Sequence, residues 1–219
     1  MGNPYFLLRI SEYQLMIQFN IVEIFESLQG EGYNTGMPAV FIRLAACNLK
    51  CPWCDTDFMS YQSMSLEHIL NTVSQFQSKN IIITGGEPTI NKKLPLLLHA
   101  LKQENYYLAI ESNGLGKVDP LIDYIALSPK FYYRHQYPFP LQRQADEVRI
   151  VVENHPDFLT FCQNIEQQIQ ARHYFLSPCE QNNQFNMLTT LQYLGRLNQN
   201  RHNNKWLLSI QTHKLANIE

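Results

Sequence analysis

The apolar positions of this chain fall into short uninterrupted runs that alternate with longer segments of helical period. Runs rich in Ile, Val, Leu and aromatic residues predict strands over residues 39–44, 80–84, 106–111, 124–127, 147–153, 173–176 and 206–211. Apolar residues spaced three or four apart predict helices over residues 66–76, 158–169 and 187–194. Strands that alternate with helices favour a mainly parallel sheet, because parallel strands are joined by crossovers.

One segment interrupts this alternation. Residues 129–146 hold three prolines and no apolar period, which predicts a crossover without a helix. A complete eightfold barrel therefore does not fit, and the predicted fold is an α/β open partial (β/α) barrel with a mainly parallel sheet. We expect residues 20–219 to form this domain and residues 1–19 to be an N-terminal extension, loosely held over residues 1–15.

Polar and charged residues recur just after the predicted strands. The runs end in AACNLKC, TGGEP, ESNG, LSPK and LSPCE. In parallel β/α folds the ends of the strands meet on one face, which is the usual location of the active site. The sequence therefore predicts that these five segments converge.

Composition narrows the class of protein. The chain has 219 residues, 45% of them hydrophobic, a net charge of -2 and no long run of Lys or Arg. A direct nucleic-acid interface is therefore not expected, and a small-molecule partner is favoured. The N-terminal residues lack the basic region of a signal peptide, and no apolar stretch is long enough to span a membrane. We expect a cytoplasmic protein.

Three of the five cysteines lie close together, at C-x3-C-x2-C spacing in CNLKCPWCDT, residues 47–56. A structural zinc site normally needs four ligands, and neither Cys162 nor Cys179 has a second cysteine at two-residue spacing. Cys162 lies on the apolar stripe of a predicted helix and is interpreted as a core residue. Three thiolates on a [4Fe-4S] cluster would leave one iron without a protein ligand.

Two motifs together resemble those of the radical S-adenosylmethionine (SAM) superfamily. The first is C-x3-C-x-aromatic-C, formed by Cys47, Cys51, Trp53 and Cys54, and the second is GGEP at residues 85–88, directly after a strand. The resemblance implies that SAM chelates the free iron and that an electron from the cluster cleaves it to a 5′-deoxyadenosyl radical. Glycine suits the second motif, because without Cβ the backbone can approach a ligand closely.

Further segments resemble one family within that superfamily. EIFESLQGEG at residues 23–32, FIRLAACNLKCPWCDT, TGGEP, ESNG, SPK and SIQTHK are similar to the 7-carboxy-7-deazaguanine synthases of queuosine biosynthesis, from about Asn20 to the C-terminus. The resemblance implies a lyase that converts 6-carboxy-5,6,7,8-tetrahydropterin into 7-carboxy-7-deazaguanine with loss of ammonia. It also implies Mg2+, a homodimer, and a flavodoxin or ferredoxin as electron donor.

The family's functional residues map onto matching positions of this chain. The resemblance implies that the cluster ligands are Cys47, Cys51 and Cys54, and that Thr56 binds Mg2+. The implied SAM contacts are Trp53, Cys54, Asp55, Gly86, Ser128, Pro129, Lys130, Ser177, Pro178, Cys179 and Glu180. The implied substrate contacts are Leu28, Gln29, Gly30, Arg43, Thr84 and the C-terminal Glu219, with His213 a weaker candidate. Taken alone, most of these residues would be interpreted as turns, caps or surface charges.

The segment at residues 177–180 departs from the family pattern. Where a QPM-type ending is expected, the chain reads SPCE, so Cys179 replaces a thioether by a thiol and the SAM contact there stays open. Two alternatives also stay open. One is a radical SAM activase that acts on a partner protein, and the other is a non-catalytic zinc-binding module.

Overall fold

The computed structural model describes residues 11–54, 57, 59–137, 142–181, 184–200 and 205–218. The helices are α1 Glu12–Leu15, α2 Leu66–Ser74, α3 Leu94–Gln103, α4 Phe158–Gln168, α5 Met187–Asn198 and α6 Thr212–Ala216. The strands are β1 Gln18–Leu28, β2 Pro38–Leu44, β3 Gln62–Ser65, β4 Asn80–Gly85, β5 Tyr107–Ser112, β6 Tyr124–Leu127, β7 Gln144–Val151, β8 Gln170–Ser177, β9 Glu180–Gln181, β10 Gln184–Phe185 and β11 Trp206–Leu208. Two 3-10 helices cover Pro88–Ile90 and Phe131–Gln136.

Nine of the strands in the described residues form one sheet, in the order β11-β8-β7-β6-β5-β4-β2-β1-β3. Every neighbouring pair from β2 to β11 is parallel, whereas β1 runs antiparallel to both β2 and β3. The mainly parallel α/β fold predicted from the sequence is confirmed. The parallel strands therefore present their carboxyl ends along one edge of the sheet.

Helices pack on one face of this sheet, and charged side chains of β7 lie on the other face. Side chains of α2 and α3 pack on β1, β2, β4 and β5, and those of α4 and α5 pack on β7 and β8. On β7, Val148 and Ile150 point into this second core, so Glu147 and Arg149 face the opposite side. A small apolar cluster around Phe41, Ile82 and Ala126 occupies the opposite side.

Among the elements that the hydrophobic pattern did not predict, β1 and α3 are the longest. On β1, polar side chains stand among the apolar ones from Gln18 to Ser27, because the strand is partly exposed and ends at a polar loop. In the α3 segment LPLLLHALKQ, Leu94, Leu97, Leu98 and Leu101 form a buried stripe that the sequence analysis did not pick out. Within the described residues, no helix is both long and apolar enough to pass through a membrane.

The crossover between β6 and β7 agrees with its prediction. Its described part contains the 3-10 helix Phe131–Gln136 and no α-helix. The N-terminal extension over residues 1–19 stays a prediction, since residues 1–10 lie outside the described residues and β1 already includes Gln18 and the buried Phe19. Cys162 is buried in α4, as its position on the apolar stripe predicted.

The core of the first half depends on α3. We expect Leu98→Ala to lower the free energy of unfolding by about 2–5 kcal/mol, because Leu98 is fully buried and its truncation leaves a cavity. Leu188→Ala on α5 is the matched control, because its side chain is 78% exposed and the change should cost less than about 0.5 kcal/mol. Urea titration followed by circular dichroism measures both, and equal midpoints would contradict this assignment of the core.

Candidate active site

A cavity of about 550 Å³ opens at the carboxyl edge of the parallel strands. Its volume lies in the range of small-molecule and cofactor sites, which is about 300–1,000 Å³. All five segments that the sequence placed after strands contribute to its lining, together with the loop after β1 and the C-terminal segment. The predicted convergence is therefore confirmed.

The cysteine loop lies at one end of this cavity, where Cys47, Cys51 and Cys54 all contribute to the lining. Leu49 anchors the loop by its buried side chain and donates its N–H to Cys47 Sγ at 3.4 Å. On the neighbouring residue, the Lys50 N–H donates to the Tyr133 hydroxyl at 2.9 Å, and the same hydroxyl donates to the Lys50 carbonyl at 2.9 Å. The cysteine loop is thus held in two ways, by the buried side chain of Leu49 and by hydrogen bonds to Tyr133 in the β6–β7 crossover.

The thiols of this loop lie close enough to influence one another. Burial raises the pKa of Cys47 and Cys51, and the charge of Cys54 raises both further. The ammonium of Lys130 acts in the opposite direction on both thiols. Lys130 lines the same cavity, where its Nζ donates to Ser128 Oγ at 2.7 Å. A cation therefore faces the place where thiolates would gather.

The GGEP loop connects the cysteine loop to the end of β5. A Cβ on Gly86 would lie 1.9 Å from the Ala46 carbonyl oxygen, so only glycine allows the two loops to approach this closely. The buried Glu87 accepts hydrogen bonds from Ser112 Oγ at 2.8 Å and from the Asn113 N–H at 2.7 Å. The side-chain amide of Asn113 in turn donates to Asn48 at 2.8 Å. Glu87 thereby fixes the relative position of three loops.

The C-terminal segment, residues 209–214, binds along the LQGEG loop. The Thr212 N–H donates to the Gly30 carbonyl at 2.9 Å, and Gln211 Nε2 donates to Glu31 Oε1 at 2.8 Å. The Gly32 N–H donates to Ser209 Oγ at 2.9 Å. These contacts join the chain after β1 to the chain after β11, which lie near opposite edges of the sheet. His213 and Lys214 thereby come to line the cavity.

A buried cluster of charges around Arg149 forms part of the cavity wall. Arg149 Nη1 lies 3.1 Å from Glu31 Oε2, and its Nη2 lies 2.6 Å from Glu111 Oε1. Its Nε lies 2.8 Å from Glu147 Oε1 but is not aimed at it, so this contact is an ion pair without hydrogen-bond geometry. Glu31, Glu111 and Arg149 line the cavity.

Glu111 stays ionised in this wall. Burial raises its pKa, but the charge of Arg149 and hydrogen bonds from Arg149, Thr84 and Gln29 outweigh burial and lower the pKa to about 2. Thr84 Oγ1 donates to Glu111 Oε2 at 2.9 Å, and Gln29 Nε2 donates to Glu111 Oε1 at 3.1 Å. The amide oxygen of Gln29 accepts the Glu31 N–H at 3.0 Å. Gln29 therefore uses both ends of its amide inside the protein.

The structure brings most of the predicted site residues together. The cavity lining includes Leu28, Gln29, Gly30, Arg43, Cys47, Cys51, Trp53, Cys54, Thr84, Gly86, Ser128, Lys130, Ser177, Pro178, Cys179, Glu180 and His213. Pro129 is buried between two lining residues and does not itself line the cavity. Asp55, Thr56 and Glu219 lie outside the described residues. Arg43 is already paired, with its Nε 2.8 Å from Glu23 Oε1.

Comparisons with known proteins identify the family. The model of the radical SAM superfamily matches residues 41–132. A 7-carboxy-7-deazaguanine synthase from Haemophilus influenzae is 55% identical over 92% of this chain and 94% of that protein. One from Neisseria meningitidis is 53% identical over 92% of this chain and 95% of that protein. The chain belongs to the 7-carboxy-7-deazaguanine synthase family.

A solved structure supports the fold of this family member. The crystal structure of QueE from Escherichia coli matches with a TM-score of 0.67 and 24% sequence identity. The match covers 95% of this chain and 99% of that chain. At this identity the match supports the architecture, while the curated relatives support the family.

A radical SAM 7-carboxy-7-deazaguanine synthase carries a [4Fe-4S] cluster and SAM, and the residues of this cavity fit both groups. The three thiols on one loop are the soft ligands that iron–sulfur clusters take. Within the described ranges, no three His, Cys, Asp or Glu side chains converge closely enough to hold a single metal ion. The buried Ser177 hydroxyl also lines the cavity without a hydrogen-bond partner among the described residues, as expected where a polar ligand binds.

Sequence reasoning missed several lining residues of this synthase, above all Glu31, Glu87, Glu111 and Arg149. Three of them lie inside the quoted motifs LQGEG, TGGEP and ESNG, but carried no assigned role. The signal for Arg149 was a charged residue in the middle of the apolar strand EVRIVVE. Such a residue is rarely buried unless it is paired, so its position indicated a buried ionic partner.

The LQGEG loop depends on glycine at residue 32. Gly32 has a φ of +69°, and a Cβ there would lie 2.3 Å from Glu147 Oε1. Gly36, with a φ of +88°, has no atom within 4 Å of such a Cβ, which makes it a matched control for backbone strain alone. We expect Gly32→Ala to destabilise the protein by more than Gly36→Ala, which should cost about 1–2 kcal/mol. Thermal unfolding measures both, and equal losses would show that the contact with Glu147 is unimportant.

Proposed function

We propose that this protein converts 6-carboxy-5,6,7,8-tetrahydropterin into 7-carboxy-7-deazaguanine, with loss of ammonia, as a radical SAM lyase of queuosine biosynthesis. The observation that carries the proposal is a cavity lined both by the thiols of Cys47, Cys51 and Cys54 and by the carboxylates of Glu31 and Glu111. The first set suits the cofactor and the second suits a substrate rich in N–H donors. Family membership supports the same reaction.

The cofactor side of the cavity is formed by the cysteine loop and the loops after β6 and β8. When bound, the cluster and SAM supply one-electron chemistry that removes a hydrogen atom from the substrate. Cys47, Cys51 and Cys54 would hold the cluster, and Gly86 would allow the GGEP backbone close to the amino acid part of SAM. Ser177, whose hydroxyl lacks a protein partner in the described residues, would donate to or accept from SAM.

The substrate side is the wall around Glu31 and Glu111. Ionised carboxylates accept hydrogen bonds and do not donate them, so they suit the amino and ring N–H groups of a pterin. Thr84 and Gln29 hold Glu111 in place through their hydrogen bonds. Arg43, at the end of β2, would contact the substrate carboxylate, for which a guanidinium fork is suited. Because the Gln29 amide is bound to protein groups, we assign it to positioning Glu111 and the loop.

The remaining parts of the proposal rest on the resemblance of the sequence. Thr56 would supply a hydroxyl ligand to Mg2+, a hard cation that prefers oxygen. Glu219 and its carboxylate would contact the substrate, as the resemblance implies. We further propose a cytoplasmic homodimer that receives electrons from a flavodoxin or ferredoxin.

Turnover under anaerobic conditions tests the proposed reaction. Reconstituted protein with SAM, reductant, Mg2+ and carboxytetrahydropterin should form carboxydeazaguanine, detected by mass spectrometry, and Cys51→Ala should abolish the product by removing a cluster thiolate. Cys162→Ala is the matched control, because Cys162 is buried in α4 away from the cavity lining. Absence of product with wild-type protein that carries cluster iron would refute the proposal, and so would unchanged turnover in Cys51→Ala.

The Mg2+ ligand is tested separately. We expect Thr56→Ala to raise the Mg2+ concentration needed for half-maximal turnover, because the change removes one oxygen ligand. Thr72→Ala on α2 is the control, because its hydroxyl donates to the His68 carbonyl in a helix that does not line the cavity. A Mg2+ titration that is the same for Thr56→Ala and wild type would exclude Thr56 from the ligand set.

A further inference from the structure

The Arg149 cluster contains more negative than positive charge. One guanidinium contacts three carboxylates, from Glu31 after β1, Glu111 on β5 and Glu147 on β7 itself. The Arg149 side chain is only 6% exposed, so these contacts surround it almost completely. Each of its three nitrogens faces a different carboxylate. Its position is therefore determined from three directions.

The three carboxylates differ in what else they contact. Glu147 does not line the cavity; its Oε2 accepts the Tyr33 N–H at 2.8 Å and the Tyr124 hydroxyl at 3.0 Å. Glu31 and Glu111 do line the cavity. Arg149 thus connects a carboxylate fixed within the protein to two carboxylates that face the ligand space.

We propose that Arg149 is a positioning residue for the substrate, which fixes the carboxylates of Glu31 and Glu111 at the spacing that pterin recognition requires. The inference rests on the proposed function, since it names the role of Arg149 in that same cavity. Glu31 stands on a loop and Glu111 on a strand, so no shared secondary structure sets the distance between their carboxylates. The planar guanidinium does so, because its donors point in fixed directions.

The charge state depends on the same contact. The charge of Arg149 is the first-named influence that lowers the pKa of Glu111 against burial, so without Arg149 the pKa should rise, since burial disfavours the charged form. The groups that face this part of the cluster are the carboxylates of Glu31 and Glu147 and the uncharged Thr84, Gln29, Gln211 and Tyr124. Arg149, together with the hydrogen bonds from Thr84 and Gln29, therefore keeps Glu111 ionised near neutral pH.

Three variants and one control test this role in the reconstituted enzyme. Arg149→Lys keeps a positive charge but loses the planar fork, and Arg149→Met removes the charge. Arg149→Met combined with Glu147→Gln avoids leaving the Glu147 charge unpaired, should the single change prevent folding. Arg172→Met on β8 is the matched control, because the Arg172 side chain is 79% exposed and contacts only Asp146 among the described ion pairs.

The readouts are the KM for carboxytetrahydropterin, kcat, the pH dependence of KM, and the melting temperature. We expect Arg149→Lys to raise KM on the order of tenfold, with a smaller change in kcat. In Arg149→Met, alone or with Glu147→Gln, the ratio of its KM to the wild-type KM should rise as pH falls from about 8 to about 6, because Glu111 takes up a proton. The ratio to the wild-type KM is used because it cancels any pH effect that variant and wild type share, including effects of other cavity residues such as His213. Arg172→Met should match wild type.

The outcomes separate the two proposals. If wild-type enzyme makes no carboxydeazaguanine, the proposed function fails, whatever the variants do. If wild type is active and the variants only melt earlier, with unchanged KM and an unchanged KM ratio across pH, Arg149 is structural and the inference is wrong. A raised KM that depends on pH in the folded variants supports it.

Discussion

A single buried guanidinium is the interaction on which the site of this protein depends. Arg149 holds together carboxylates from three places that are distant in the chain, namely the loop after β1, strand β5 and strand β7. Buried ion pairs are expensive to desolvate, and such pairs are weak evidence of stability. Their value here lies in specificity, because a cluster with one cation and three anions is satisfied in very few arrangements. The carboxylates that face the cavity are those that this arrangement fixes.

The second constraint is the closure of an open sheet. A partial barrel leaves a gap between its first and last strands, and here residues 209–214 bridge it by hydrogen bonds to the LQGEG loop. The bridge brings Gln211 to Glu31, so the closure and the charge cluster share a residue. The charge cluster and the closure of the fold are thereby parts of one network, which includes Gly32, the glycine that allows the loop to pass close to Glu147.

The cofactor side is built differently. The cysteine loop is connected to the loops after β4 and β5 by hydrogen bonds that end on the buried carboxylate of Glu87, directly at Asn113 and through the Asn113 side chain at Asn48. Both sides of the cavity thus use a buried glutamate to fix loops that follow separate strands. The difference is that Glu87 is satisfied by neutral donors, whereas Glu111 needs a cation.

The sequence by itself determined the parallel α/β fold, the cysteine loop, the GGEP turn and the edge of the sheet on which they meet. Short apolar runs, the spacing of the thiols and the polar residues after each strand are local features, and local features can be read from one stretch of chain. The tertiary structure decided the rest. Arg149 could be identified as a buried charge but not matched to Glu31, Glu111 and Glu147, because these partners come from separate elements. The hydrogen bonds of the Gln29 amide with Glu111 and Glu31 could not be predicted for the same reason. Hydrogen-bond partners across a sheet depend on strand order and register, which no single segment encodes.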